Sequence, residues 1–253
     1  MFYRKSLRQE TVLKKLGDKA ILKIDPRHIS KYYGSKHQAT GNFRRMYGKL
    51  QSARLKGLIR EKIADRMEGY IIRENNFNPG ILIEEMPKYQ LVSDFLKNIE
   101  TPRESLWYNN LLHQLNSLGI AKHKKHEMRS PDEILHFLDH YNHTVVQTMK
   151  SKGFCDSYTG FEATGVIDNK GRVGKTGSGN HRFMIARELG IKDFPLKIAG
   201  IHENWIKTTS QGSDFSFQSI LQALAVTQEK YDAMGSSSRD FADNEAPPFG
   251  REG

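Results

Sequence analysis

Gly177-Ser178-Gly179-Asn180-His181-Arg182 joins a glycine-rich turn to a histidine and an arginine, and the helical run Phe183 to Leu189 follows at once. The free N–H groups and positive dipole end of such a helix start attract an anion. Arg182 adds a planar two-pronged donor suited to phosphate oxygens. His181 can bond a phosphate oxygen or the transferred group, depending on its protonation. Gly174, Gly177 and Gly179 allow the backbone to come close to a ligand, and Lys175 offers a further cation. The set suits phosphate better than any neutral ligand. Gly174-Lys175-Thr176 is not a P-loop, because Asn169 stands where that pattern needs its first glycine.

Around this turn the elements alternate. Thr164 to Lys175 reads as strand and turn, broken at Asn169-Lys170-Gly171, and the helix after Arg182 ends at Gly190. Phe194 to Ala199 reads as a further strand, followed by His202-Glu203-Asn204-Trp205. Gly179-Asn180-His181-Arg182 and the passage Leu189-Gly190-Ile191 to Pro195 resemble the ParB/sulfiredoxin superfamily. Ala20 to Asp25-Pro26 resembles that superfamily's opening strand and its exit. The resemblance covers roughly Thr164 to Trp205 and implies an ATP or CTP site at the helix start, with a small mixed sheet behind it. Sulfiredoxins, CTP-switching partition proteins and a free-serine kinase share the fold, so the resemblance implies a site more firmly than a reaction.

One position excludes sulfiredoxin chemistry. The related Gly-Cys-His-Arg motif needs a cysteine nucleophile where this chain has Asn180, and an amide cannot replace it. Phosphoryl transfer needs instead a carboxylate to orient or deprotonate an acceptor hydroxyl. Asp156 and Glu162 precede the signature and are the candidates, with His181 as the third catalytic residue. Asp168 reads better as a turn residue, and His202 either reaches the pocket mouth or is a packed or capping histidine. His136, His140 and His143 share one helix face, opposite the core stripe. They read as solvated, and no metal-ligand set is expected.

Charge is distributed unevenly over the 253 residues. Residues 1–73 hold 19 Lys/Arg against 6 Asp/Glu, and the remainder holds 20 against 23. Nine basic residues and no acidic one lie between Asp25 and Glu61, with Tyr32, Tyr33, Phe43 and Tyr47 among them. Such a region, 26–60, can follow a nucleic-acid backbone, cover nucleotide phosphates as a lid, or form a plain basic surface. The single Cys155 excludes an intrachain disulfide. No apolar run approaches a membrane span and the N-terminus lacks a signal h-region, so a cytoplasmic protein is expected.

The predicted fold class is α/β, more closely α+β: a ParB/sulfiredoxin-like mixed sheet with surrounding helices and a large helical insertion. Residues 1–19 form a first helix, and 20–207 the nucleotide-binding domain, with the insertion over about 31–150. Residues 208–234 form a C-terminal helix, and 235–253 a disordered tail. Ser30 to Gly48 reads as a mobile loop, and Leu50 to Met67 as a helix. Short strands are expected at Tyr70–Ile72 and Ile81–Glu84. Thr101-Pro102-Arg103-Glu104 and Ser130-Pro131-Asp132-Glu133 each predict a capped helix start. The second helix runs to about Lys150 on a stripe of Ile134, Leu138, Tyr141, Val145 and Met149.

Two functions fit. One is a nucleotide-dependent phosphotransferase or kinase using ATP or another nucleoside triphosphate with Mg²⁺, acting on a small-molecule or sugar-like hydroxyl. The other is a nucleic-acid-binding or nuclease-like relative that uses region 26–60.

Overall fold

In the computed structural model, which describes residues 7–34, 52, 69–74, 77, 79–154, 163–210, 212 and 215–242 (236–242 as backbone alone), an N-terminal helix leads into a mixed sheet. Helix α1, Gln9–Leu16, buries Val12 and Leu16 and stops at Gly17, where φ is +54°. A 3-10 turn then delivers strand β1, Ile21–Ile24. Asp25 closes the strand exit by accepting from the Arg27 N–H at 2.9 Å, with Pro26 at the first position of a short 3-10 turn. Strands β2, Lys31–Tyr32, β3, Ile71–Ile72, and β4, Ile81–Leu82, follow. The expected helix at Leu50 to Met67 and nearly all of the expected mobile loop lie outside the described residues.

Among the described residues, four helices and a hairpin fill the part of the expected insertion that follows β4, whereas β2, β3 and β4, within its expected bounds of about 31–150, pair into the central sheet. Helix α2 is Pro87–Lys97, and α3 is Leu106–Leu118, ended by Gly119 in the left-handed region. The hairpin pairs β5, Ala121–His123, with β6, His126–Met128. Helix α4 is Pro131–Tyr141; one π-helical turn, Asn142–Val146, joins it to α5, Gln147–Lys152.

The expected cap at Ser130 is present, its hydroxyl accepting from the Glu133 N–H at 3.2 Å. The one at Thr101 is not. Pro102–Glu104 forms only a 3-10 turn, and extended Ser105 interrupts it and caps α3 by accepting from the Tyr108 N–H at 3.2 Å. The π turn also changes the predicted stripe. Its extra residue rotates the helix, so Val146 rather than Val145 is buried behind Leu138.

The remaining elements form the centre. Strands β7, Thr164–Ile167, and β8, Val173–Lys175, are an antiparallel hairpin, and helix α6, Asn180–Glu188, leads to the nine-residue β9, Phe194–His202. Helix α7, Glu203–Ser210, and α8, Phe217–Ala242, are the last described elements. The last helix therefore continues through Gly235 to Ala242, into the stretch read from sequence as tail. Its anchor is a hydrogen bond from Trp205 Nε1 to Thr227 Oγ1 at 3.0 Å.

The strand order is β1-β9-β7-β8-β2-β4, with β3 beside the far end of β9. Strands β7 and β9 run parallel with α6 between them in sequence, as the alternation of strand, glycine turn, helix and strand predicts. Helix α6 is buried on several sides: Phe183, Met184, Ile185 and Ala186 are all inaccessible. Phe183 packs edge-on to Phe194 of the sheet, and α2 covers another side. Arg187 ties this helix to the β1 exit, its Nη1 donating to the carbonyls of Pro26 at 2.7 Å and Ile29 at 2.8 Å. The fold class is mixed α/β, and among the described residues no helix is long and apolar enough to cross a membrane.

Candidate functional site

Strand β8 ends where Thr176 turns out of the sheet, held by its N–H donating to the Thr164 carbonyl at 2.8 Å and by a hydroxyl contact to Thr164 at 2.8 Å. Gly179, with φ +68° and ψ +23°, then bends the chain into α6. The first internal bond of that helix is from the Phe183 N–H to the Gly179 carbonyl at 3.1 Å. The N–H groups of Asn180, His181 and Arg182 therefore have no protein acceptor among the described residues. A Cβ at Gly179 would meet Ala163 Cα and Cβ at 2.9 Å, in a conformation side chains rarely adopt. Gly179→Ala is expected to lower stability by about 1–3 kcal/mol; unchanged thermal unfolding would contradict this packing.

Lys175 lies beneath the turn and is 1% exposed. Its ammonium donates to the carbonyls of Thr176 and Ser178 and to Asn180 Oδ1 at 2.9 Å. Burial pushes its pKa down to about 7. Three acceptors suited to a three-donor ammonium act the other way and favour the charged form. The cation expected to touch phosphate is thus occupied in shaping the loop.

His181 faces the insertion. Tyr141, at the end of α4, places its hydroxyl 3.3 Å from His181 Nδ1. The rings of Trp107 and His123 lie 5.5 and 5.4 Å from the imidazole. Desolvation first, then the charges of Lys124 and Lys88 and the neighbouring His123, push the His181 pKa down to about 4. His123 is lowered to about 4 as well, by burial and the same two lysines. Both rings are neutral at pH 7. When Tyr141 donates to Nδ1, the ring proton sits on Nε2 and is available to a ligand.

The sign of the pH effect follows. Between about 4 and 6.5 the unfolded chain binds protons that the folded rings refuse, so stability falls as pH drops through that window. Ring-carbon NMR should place the His181 midpoint near 4, and a bound phosphate should raise it by about one unit or more. A midpoint near 6.5 without ligand would contradict the burial.

Arg182 supplies the remaining donor. Its partly buried guanidinium makes no hydrogen bond or ion pair among the described residues, and burial lowers its pKa. Gly177 and Ser178 are exposed on the same turn. The structure thus gathers Gly177, Ser178, Gly179, Asn180, His181 and Arg182 at one helix start, with Lys175 behind them. Asp156, Glu162 and Cys155 lie outside the described residues. Ala163, bonded to Glu162, packs on Gly179. On the other side β2 runs parallel to β8, so Tyr33 and Gly34 lead the chain off the sheet beside Thr176.

Other candidates lie elsewhere. Asp168 is buried in the β7–β8 turn, accepting from the N–H groups of Lys170 and Arg172 and from Arg172 Nε. Gly174 does not approach the turn's ligand face, because the Tyr33 ring occupies the space a Cβ would need. His202 is buried at the opposite end of β9, with Nε2 3.2 Å from Glu74. It is not at the mouth of the glycine turn. His136, His140 and His143 are exposed, His143 facing Asp139 at 3.3 Å. Among the described residues no three metal-binding side chains converge.

Trp107, His123, Tyr141, Lys88 and Lys124 went unidentified in the sequence because they come from a remote insertion. The only signal was the run Lys122-His123-Lys124-Lys125-His126, which reads as a solvated loop but folds as a hairpin. No protein-family model, curated protein or solved structure matches the chain.

Proposed function

We propose that the chain is a nucleotide-dependent phosphotransferase that holds the phosphates of ATP, or another nucleoside triphosphate, at the Gly177–Arg182 turn. Its acceptor is the hydroxyl of a small or sugar-like molecule. The observation that carries this reading is Arg182: a partly buried guanidinium without a partner among the described residues, beside three N–H groups that also lack acceptors there. An unpaired charge and unpaired donors gathered at one helix start favour an anionic ligand.

Chemical roles follow from placement. The turn's N–H groups and Arg182 hold phosphate oxygens and stabilise charge on the transferring group. Neutral His181 donates a hydrogen bond from Nε2, with Tyr141 fixing its ring. Asp156 or Glu162 orients the acceptor hydroxyl. Mg²⁺ would be carried chiefly by phosphate oxygens and water. Trp107 and Tyr141 limit water around His181.

Region 26–60 favours a second reading, nucleic-acid binding, because its positive charge is concentrated in one stretch. A thermal-shift panel separates the two. ATP, CTP and GTP with Mg²⁺ at 100 times the dissociation constant should stabilise the protein by about 2.7 kcal/mol. Stabilisation by oligonucleotides alone, steeply weakened by salt, would instead support the nucleic-acid reading.

A further inference from the structure

A cavity of about 260 Å³ opens at the end of the sheet remote from the glycine turn. The strands set the separation. Ala163 touches Gly179, and five residues of extended β7 lead from there to Asp168, about 17 Å away at 3.3 Å per residue. Anything bound here is not the phosphoryl acceptor.

The lining is polar at both ends and aromatic between them. Tyr33 and Phe77 stand edge-to-face with ring centres 5.0 Å apart, and Phe77 meets His202 in the same way at 5.0 Å. At one end, Arg172 is anchored through Nε, which donates to buried Asp168 at 2.7 Å. That bond fixes the guanidinium plane, and both terminal nitrogens have no acceptor among the described residues. Lys31 stands nearby, its ammonium donating to the Pro79 carbonyl at 3.2 Å. At the other end, Glu74 Oε2 is held by His202 Nε2 at 3.2 Å and accepts from Asn204 Nδ2 at 3.0 Å. Oε1 of the same carboxylate has no partner among the described residues. His202 Nδ1 accepts from the Asn204 N–H at 3.1 Å, so the neutral ring carries its proton on Nε2 and donates it to Glu74.

We infer that this cavity is a second binding site, for a small zwitterion of amino-acid class. Its carboxylate is received by the free fork of Arg172 with Lys31, and its ammonium by Glu74 Oε1. The two charged anchors are each fixed by a buried partner, Asp168 and His202, so little ordering remains for a ligand to impose. A fixed guanidinium fork prefers a carboxylate's two coplanar oxygens. The small volume and the walls of Tyr33 and Phe77 restrict the ligand to one short side chain.

Saturation-transfer NMR on the full chain, with mixtures of free α-amino acids at millimolar concentration, tests this. Their N-acetylated and C-amidated forms serve as controls. Signal is expected from one or more free amino acids and not from either blocked form. E74Q keeps an acceptor for His202 and lies on the surface; it should weaken binding about tenfold or more, as should R172Q. If R172Q does not fold, E74Q decides alone. No transfer from any free amino acid, equal transfer from the blocked forms, or unchanged affinity in E74Q would overturn the assignment. Nucleotide stabilisation at the glycine turn is read separately, so either site can fail without the other.

Discussion

Replacing Arg182 with alanine is expected to weaken nucleotide binding or turnover by about 100-fold, or about 2.7 kcal/mol, while leaving the fold intact. The guanidinium makes no bond to the protein among the described residues, so its loss orphans no buried partner. What disappears is a two-pronged donor held partly out of water, where charge–charge contact is stronger than at the surface. Arg182→Lys should recover only part of the effect, since an ammonium cannot span two phosphate oxygens. Calorimetric titration of both variants with ATP and Mg²⁺, paired with thermal unfolding, gives the comparison. Unchanged affinity in Arg182→Ala would remove the main support for the phosphate reading.

Lys175→Met should act in the opposite manner, on structure first. Removing the ammonium leaves the Thr176 and Ser178 carbonyls and Asn180 Oδ1 without their shared donor. Unsatisfied buried acceptors cost about 1–3 kcal/mol each, offset in part by no longer burying a charge. A net loss of about 2 kcal/mol or more is expected, which lowers the unfolding midpoint by about 4–8 °C in a chain of this size. Nucleotide affinity should fall as well, because the turn that aims the N–H groups is no longer fixed. A variant with wild-type stability and altered affinity would place Lys175 on the ligand instead.

The two lysine and arginine outcomes mark how far the sequence could be read. Strands β1, β7 and β9 and helix α6 were legible, because each combines a local pattern with a terminator: Asp25-Pro26, Gly171, Gly179 and Gly190. The turn's position at a helix start was legible for the same reason, since Gly179 and Arg182 are only three residues apart in the chain. The inward course of Lys175 was not legible, because adjacency to a glycine turn says nothing about which sheet face a strand's last side chain takes. Alternation settles that only once β8 is paired with β7. The surroundings of His181 were out of reach for a different reason. Trp107, His123 and Tyr141 come from three separate elements of the insertion, and only tertiary packing brings them to the imidazole. The interruption at Ser105 shows the same limit at short range. Thr101 opens only a 3-10 turn, and it is the Ser105 hydroxyl, four residues on, that accepts from the Tyr108 N–H and caps the helix.

The most direct measurement is the backbone amide spectrum of the protein titrated with a non-hydrolysable ATP analogue and Mg²⁺. The account predicts that the largest shifts fall on the amides of Ser178, Asn180, His181 and Arg182, with saturation at one equivalent, because those N–H groups have no acceptor among the described residues before the phosphates arrive. Saturable binding that leaves these four amides in place, and moves others instead, would contradict it.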